Sequence, residues 1–554
     1  MVLTMATGQE DSLLLLLLPT TSPLPPLMAV FILAAVLLWL SPGGPAWALS
    51  RCRRPPSGPT GVVTALSSPV AHRTLAALSH AVDGGKALMA FSVGLTRLVV
   101  SSQPDTAREI LVNPAFSDRP IKDAARHLLF HRAMGFAPSG DAHWRGLRRL
   151  AANHLFGPRR VAAAAHHRVS IGEAMVADVA AAMARHGEVS LKRVLHIASL
   201  NHIMATVFGK HYDMDSQEGV LLEEMVTEGY DLLGTFNWAD HLPLIKHLDL
   251  QGVRRRCNRL VQKVEVFVGK IIQEHRARRA NGGVDDEYMG DFVDVLLDLE
   301  GEEKLSESDM IAVLWVRSIE FRNVCCVTKM HVLSDLKRYV HGKISGRFCF
   351  DQEMIFRGAD TVAILMEWIM ARMALHPEIQ SKAQAELDGV VVGGVADADV
   401  GNLPYIQCIV KETLRMHPPG PLLSWARLAI HDAHVGGHLV PAGTTAMVNM
   451  WSIAHDPAIW AEPEKFRPER FQEEDVSVLG SDLRLAPFGA GRRVCPGKML
   501  ALATTHLWIA QLLHEFEWAP AAANGGVDLS ERLNMSLEMA TPLVCKAVPR
   551  AQLA

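Results

Sequence analysis

Phe488-Gly-Ala-Gly-Arg-Arg-Val-Cys-Pro-Gly497 is the stretch from which the rest of the 554-residue chain is read. It sets a lone cysteine, Cys495, in a glycine-rich loop, two residues after Arg493 and directly before a Pro-Gly step, and an apolar helical pattern starts near Lys498. Gly489, Gly491 and Gly497 carry no side chain, so the backbone here can approach a flat cofactor closely. Backbone N–H groups at the start of the following helix can point toward the sulfur and hold it as thiolate. A thiolate so placed is a suitable axial ligand for haem iron, and its electron donation favours O–O bond cleavage. Arg493 is then placed to neutralise a haem propionate. A structural cysteine beside a turn is the competing interpretation of any single Cys.

Five positions decide between the two. The stretch resembles the haem-binding signature of cytochromes P-450, Phe-x-x-Gly-x-Arg-x-Cys-x-Gly, matched at Phe488, Gly491, Arg493, Cys495 and Gly497. The resemblance implies a mainly α fold with small β-sheets, a single large domain behind an N-terminal membrane anchor, and haem b as cofactor. Length alone permits three or four domains, but no composition break divides the middle of the chain. With 49% hydrophobic residues there is material for a sizeable core, and a net charge of −4 gives no hint of a nucleic-acid partner. The eight cysteines are scattered and none forms Cys-x-x-Cys, which points to a reducing compartment and away from a disulfide scaffold or zinc site.

Residues 1–50 hold the expected anchor. A leucine run, Leu13–Leu18, is broken by prolines, and Leu27–Leu40 is then continuously apolar. That is shorter than the roughly 20 residues a spanning helix needs, so flanking residues must contribute. No Lys or Arg precedes Arg51, whereas Arg51, Arg53 and Arg54 follow closely. The positive-inside tendency leaves the N-terminus in the lumen and the bulk of the chain in the cytosol, at the endoplasmic reticulum membrane; a cleaved signal peptide lacks its basic n-region here. Residues 51–59 read as a basic, Pro-rich hinge, and 60–554 as the catalytic domain.

Within that domain, Leu98–Ser101 is β-prone and suits a small sheet beside a helical body. Phe116–Ser139 has few regular signals and is expected to be a loop, matching the family's substrate-covering loop. Trp144 and Arg148 are four apart and share a helix face; the resemblance implies that they hold a haem propionate. Arg145, Arg149, Arg159 and Arg160 are candidates for a basic surface toward an acidic electron donor. From about 160 to 300 the pattern is helical, interrupted at Phe236–Pro243, and Arg254–Arg256 read as exposed charge.

Val316–Gln352 differs in character from its flanks. It holds three of the eight cysteines and lacks sustained amphipathic periodicity, and its removal joins Trp315 to Glu353 in one uninterrupted helical pattern. It starts with Val, whose codons begin GT, and ends with Gln, one of whose codons ends AG. The segment is therefore expected to be a translated retained intron. A regulatory loop is the functional alternative, disfavoured because insertion into a core helix disrupts packing.

Arg357-Gly-Ala-Asp-Thr361 looks like the family's oxygen-binding segment. Gly358 is expected to let the helix open locally, Thr361 to donate to bound oxygen, and Asp360 to relay protons. Arg357 departs from the small residue common at that place. Glu412 and Arg415 are three apart and resemble the family's Glu-x-x-Arg, reaching Arg470 in a structural triad. Arg427 occupies the place of another propionate-binding arginine, and Leu422, Leu423 and Ser424 before it are expected to line the substrate pocket. Gly436–Met447 has hairpin character with Pro441-Ala-Gly443 as its turn, and Asn534–Pro542 is expected to return a second hairpin into the active site.

Phe236–Gly252, Met354–Pro377 and Pro487–Lys498 resemble the plant PLASTOCHRON/KLUH-type branch. The resemblance implies an NADPH- and dioxygen-dependent monooxygenase hydroxylating a small apolar, possibly fatty-acid-like substrate and linked to organ or seed growth. The chain has no Gly-x-Gly-x-x-Gly after a strand and no flavin domain, so a separate NADPH-cytochrome P-450 reductase in the same membrane must supply electrons. The alternatives are a reductase-independent enzyme that rearranges hydroperoxides, against which Asp360 and Thr361 argue, and an isoform inactivated by the insertion.

Overall fold

The computed structural model describes residues 24–52, 54–128, 133–213, 216–245, 247–280, 291–298, 353–423, 426–521 and 526–550. Val316–Gln352 and Ser424 lie outside them. Among the described residues, the helices of nine residues or more run, in chain order, α1 Leu24–Leu40, α2 Ala71–Ala81, α3 Pro104–Val112, α4 Ala142–His154, α5 Ala165–His186, α6 Leu191–Phe208, α7 Gln217–Gly234, α8 Val253–Ala280, α9 Glu353–Leu375, α10 Pro377–Val390, α11 Pro404–Met416 and α12 Lys498–Glu515. The strands are β1 Met89–Val93, β2 Thr96–Ser101, β3 Val189–Ser190, β4 Arg427–Leu428, β5 Ala433–Val435, β6 His438–Val440, β7 Thr445–Val448, β8 Phe516–Pro520, β9 Glu531–Leu533, β10 Leu537–Met539 and β11 Val544–Pro549. The fold is mainly α with small β-sheets, as expected.

The helical body is built around α9. Its side chains from Val362 to Ala374 are buried without a break, on every face. A helix apolar all round has to be surrounded, and α6, α11 and α12 pack about it, with Trp368 and Trp508 among the largest fully buried side chains. Gly358 lies where α6 crosses: a Cβ there would sit 2.6 Å from Ile203 Cδ1. The helix remains α through this point rather than opening, so the glycine serves the close approach of two helices.

A four-stranded sheet, ordered β1-β2-β7-β4, lies to one side of the helices. β2 and β7 pair in parallel, with Leu98 opposite Thr445. β3, β11 and β8 form a second sheet, and β5-β6 and β9-β10 are two-stranded hairpins. The first hairpin turns at Gly436-Gly437, with φ of 56° and 80°, rather than at Pro441-Ala-Gly443. Adjacent positive φ values are the two-residue hairpin signature that only such a pair meets without strain. Pro441-Ala-Gly443 instead leads from β6 into β7. The second hairpin begins earlier than expected, at Glu531, and pairs Leu533 with Leu537.

Phe116–Ser139 is not wholly a loop, since Asp123–His127 is a short helix. Buried Asp123 takes Arg254 in a fork, with Nε at 2.6 Å and Nη2 at 3.1 Å. Arg254, expected to be exposed charge, therefore ties this segment to α8, whereas Arg255 and Arg256 are exposed. Arg145, Arg149 and Arg159 are exposed as well.

Among the described residues no helix is long and apolar enough to cross a membrane; α1 has 17 residues and exposes most of its apolar side chains. The chain that follows touches the four-stranded sheet at Trp47 and at Ser57. Trp47 is buried and donates its indole N–H to the carbonyls of Phe91 and Leu98, both at 3.1 Å. Ser57, within the Pro-rich stretch, accepts from Ala90 N–H at 2.9 Å. Contact with the sheet thus starts before residue 51.

Candidate active site

The Cys495 loop is pinned from both ends. Cys495 N–H donates to the Phe488 carbonyl at 2.9 Å, closing the loop onto itself, and α12 starts directly after Gly497. A side chain at Gly491 could not fit, because φ is 68° and a Cβ would lie 2.2 Å from the Leu111 carbonyl oxygen at the end of α3. Its requirement therefore comes from α3 and not from the cavity. A Cβ at Gly497 would press on the Phe156 ring at 3.2 Å, whereas Gly489 borders open space.

Cys495 lines a partly open chamber together with Phe488, Gly489 and Gly497, and the opposite contribution comes from α9: Gly358, Thr361, Val362 and Leu365. Positions 358, 361, 362 and 365 follow the three-and-four spacing of one helix face. The sequence separates Thr361 from Cys495 by more than a hundred residues, and the fold brings both to one cavity. Asp360 is not on this face. It lines a second, polar cavity with Ala363, Ile364 and Glu367, the next face of the same helix.

Four arginines border the chamber: Arg119, Arg148, Arg427 and Arg493. Arg493 is 5% exposed; it donates to the carbonyls of Ser117 at 2.8 Å, Met134 at 2.9 Å and Ala137, lies 3.6 Å from Asp118, and stands 4.6 Å over the Trp144 ring. Arg148 donates to the Val494 carbonyl at 3.1 Å, so α4 grips the cysteine loop one residue before the sulfur. Trp144, expected to reach the cofactor, gives its indole N–H to Met134 at 2.8 Å and acts as the platform beneath Arg493.

Arg427 is 4% exposed, with the Ala490 carbonyl at 3.2 Å and, among the described residues, no carboxylate against it. Burial, and then the charge of Arg493, pull its pKa down to about 9. Burying two guanidiniums near one another is unfavourable unless anions join them. A cofactor bearing two carboxylates beside a thiolate-ligated metal fits this set of donors, and haem is such a group.

Further chamber residues carried no signal in sequence. Arg119 belongs to a segment without periodicity. His202, on an otherwise apolar stretch of α6, is buried with its Nε2 unpartnered, and burial holds its pKa down to about 3, so its ring is neutral. Of the three residues expected to form the pocket before Arg427, Leu423 lines the chamber, with a φ of 54° that an L-residue adopts only under strain. Leu422 packs instead with Phe91 and Leu98 behind the sheet.

Beneath the chamber, Glu412 and Arg415 on α11 are fully buried and joined by Nε at 2.8 Å and Nη2 at 2.9 Å, and Arg470 Nε reaches the same carboxylate at 3.1 Å. The i,i+3 pair and its distant third member thus meet at one carboxylate. Leu414, beside Arg415, lines the chamber, so the triad holds up one of its walls.

A family model described as cytochrome P-450 matches residues 79–316 and 352–543. Cytochrome P-450 78A5 of Arabidopsis thaliana is 52% identical over 529 residues, covering 94% of each chain. Cytochrome P-450 78A11 of Oryza sativa subsp. japonica is 49% identical, over 94% of this chain and 92% of its own. A solved zebra fish cytochrome P-450 with abiraterone superimposes with a TM-score of 0.65, over 87% of this chain and all of that one; at 23% identity it shows the fold alone. The chain belongs to the cytochrome P-450 family of haem-thiolate monooxygenases, in the plant 78A branch of PLASTOCHRON/KLUH type.

Proposed function

We propose that this chain hydroxylates a small apolar, fatty-acid-like substrate with dioxygen and with electrons from NADPH, passed on by a separate reductase at the endoplasmic reticulum membrane, and that the product serves plant organ or seed growth. The observation that carries this reading is that Cys495 and Thr361 share one chamber bordered by buried Arg427 and Arg493. Cys495 would hold the iron, and Arg148, Arg427 and Arg493 the two carboxylates. When bound, the haem supplies the oxidising power that cleaves a C–H bond.

The chain's own residues do the rest. Val362, Leu365, Leu423 and Ile203 give the chamber apolar walls that exclude water and receive an apolar substrate. Thr361 places a hydroxyl on that wall, and Asp360 on the neighbouring face of α9 is the group through which protons reach it. The growth link rests on the resemblance to the PLASTOCHRON/KLUH-type branch. The membrane reading rests on α1, which carries no charge from Leu24 to Leu40, and on Arg51 and Arg54 beyond it; flanking residues complete the span. Reconstituted with a plant reductase in lipid vesicles, the chain should hydroxylate a fatty acid and place one atom of labelled dioxygen in the product, in proportion to NADPH consumed. Conversion of fatty-acid hydroperoxides without reductase, and no oxygen incorporation with it, would replace this reading by the rearranging one.

We infer separately that Val316–Gln352 is a translated retained intron, and that the activity proposed above belongs to the form of the chain without these residues. Its support is that the family match stops at 316 and resumes at 352. Sequencing transcripts across Trp315–Glu353 should show a dominant message lacking these 37 residues. An abundant, conventionally spliced message that keeps them sinks the idea.

A further inference from the structure

α9 is a wall between two cavities, each bordered by charged side chains. On one side is the chamber of Cys495 and Thr361; on the other is a polar cavity lined by residues of α6, α7, α9 and the β9-β10 hairpin. Asp360 faces the second, where its Oδ1 meets His196 Nε2 of α6 at 2.5 Å, with the two side chains 14% and 19% exposed. Asp360 and Thr361 are therefore neighbours in sequence that line different cavities, and the carboxylate that should deliver protons is tied down on the side away from Cys495.

We propose that His196 is the positioning residue that holds Asp360 turned into this polar cavity, and that release of the pair sets when a proton crosses α9 toward Thr361. The inference rests on the proton-relay reading of Asp360 and Thr361 given above. The charged and titratable groups around His196 are Asp360 and Glu367 on α9, Glu223, Tyr230 and Asp231 on α7, Lys192 and Arg193 on α6 itself, and Arg532 and Glu538 on the hairpin. Most of the hairpin's charge is already spent, because Glu538 takes Lys192 Nζ at 2.7 Å and Arg532 Nη2 at 2.7 Å. Glu367 accepts the Leu543 N–H at 2.9 Å, and burial raises its pKa. Asp360 and Glu223 remain as the anions acting on His196.

Burial pulls the His196 pKa down, but the hydrogen bond and charge of Asp360, with Glu223, outweigh it, so the net shift is upward from 6.5. The imidazolium, and with it the clasp on Asp360, is fully present at acidic pH and is lost as pH rises through this elevated value. Loss of the imidazolium charge removes the charge attraction and leaves a single neutral hydrogen bond from Nε2–H, so the carboxylate is held less tightly and can turn away. No atom is consumed, because a proton passed on by Asp360 would be replaced from bulk solvent.

The test uses the haem-loaded enzyme with reductase and compares His196→Ala, His196→Gln and Asp360→Asn. The native enzyme should turn over faster as pH rises past 6.5, with peroxide release falling in parallel. His196→Ala removes the clasp and should be flat with pH at the upper level. His196→Gln offers a neutral hydrogen bond at most, as the neutral imidazole does, and should be flat near that upper level as well. Histidine NMR adds a readout independent of turnover: the His196 signal should titrate above 6.5 in the native chain and drop in Asp360→Asn. If Asp360→Asn is slow but both His196 variants keep the native pH profile, or His196→Ala is flat at the lower level, this inference fails while the relay reading stands. If Asp360→Asn turns over normally, the relay reading fails and the inference with it.

Discussion

Replacing Cys495 by serine is expected to abolish both oxidase activity and the thiolate-type Soret band of the reduced carbon monoxide complex, while the protein stays folded. The two halves of that expectation have separate physical grounds. The loop is held by main-chain contacts, Cys495 N–H on Phe488 and Arg148 on the Val494 carbonyl, and serine preserves both. The side chain is partly exposed to the chamber, so swapping sulfur for oxygen should shift stability by about 1 kcal/mol or less, as for a near-isosteric change that leaves no cavity. The chemistry has no such tolerance, because a neutral hydroxyl does not donate electron density as a thiolate does.

No other described cysteine can take over. Cys257, Cys408 and Cys545 are buried outside the chamber, and burial pushes the thiols of Cys257 and Cys545 up to about 12 and that of Cys408 upward as well. They are held protonated. Cys52 lies beside the sheet, with its thiol toward the Leu439 carbonyl. Haem content, the carbonyl difference spectrum and far-ultraviolet circular dichroism of the serine variant decide the matter together. A variant that keeps the thiolate band and the activity would remove the basis for assigning the site.

How much of this could be read beforehand follows the range of each interaction. The Cys495 loop is local: its turn, its glycines and the start of α12 lie within about a dozen residues, and the family resemblance named the rest. The i,i+3 spacing of Glu412 and Arg415 is local too, whereas Arg470 came only through resemblance. What escaped notice was set by packing between distant elements. His196 meets Asp360, and Arg254 meets Asp123, across stretches of chain that no periodicity links. Trp144 was legible as a partner of Arg148 on one helix face, but nothing local shows that Met134 takes its N–H. Gly491 was legible as a residue needing freedom, yet the obstacle is the Leu111 carbonyl rather than a cofactor. A sequence shows that a backbone must come close to something; the fold decides what.

Replacing Glu412 by glutamine should prevent accumulation of folded, haem-containing protein, although the change keeps the shape of the side chain. Its carboxylate accepts Arg415 Nε and Nη2, Arg470 Nε and the Arg467 N–H, the last at 2.9 Å. The amide of glutamine can accept at one oxygen only and turns a donor toward a guanidinium at the other position. Two cations with almost no exposure then lack their counter-charge. Their remaining bonds, from Arg415 to the Ala454 and Pro463 carbonyls and from Arg470 to the Ala461, Glu462 and Lys465 carbonyls, are to neutral groups. Stranding buried charge in this way costs about 3–5 kcal/mol, against a total stability of about 5–15 kcal/mol for a folded domain. Arg372 sharpens the effect, since burial holds its pKa down to about 10 while Glu412 is the leading charge that supports it. The same bonds tie α11 to the segment running from 454 to 470, which leads into the cysteine loop, so failure should appear as lost haem as well as a lower melting temperature. Replacing Arg145 instead, exposed on α4 with one bond to the Gly140 carbonyl, should leave both readings near native. Equal melting temperatures and haem content for the Glu412 variant and the Arg145 control would show that the buried triad does not support the site.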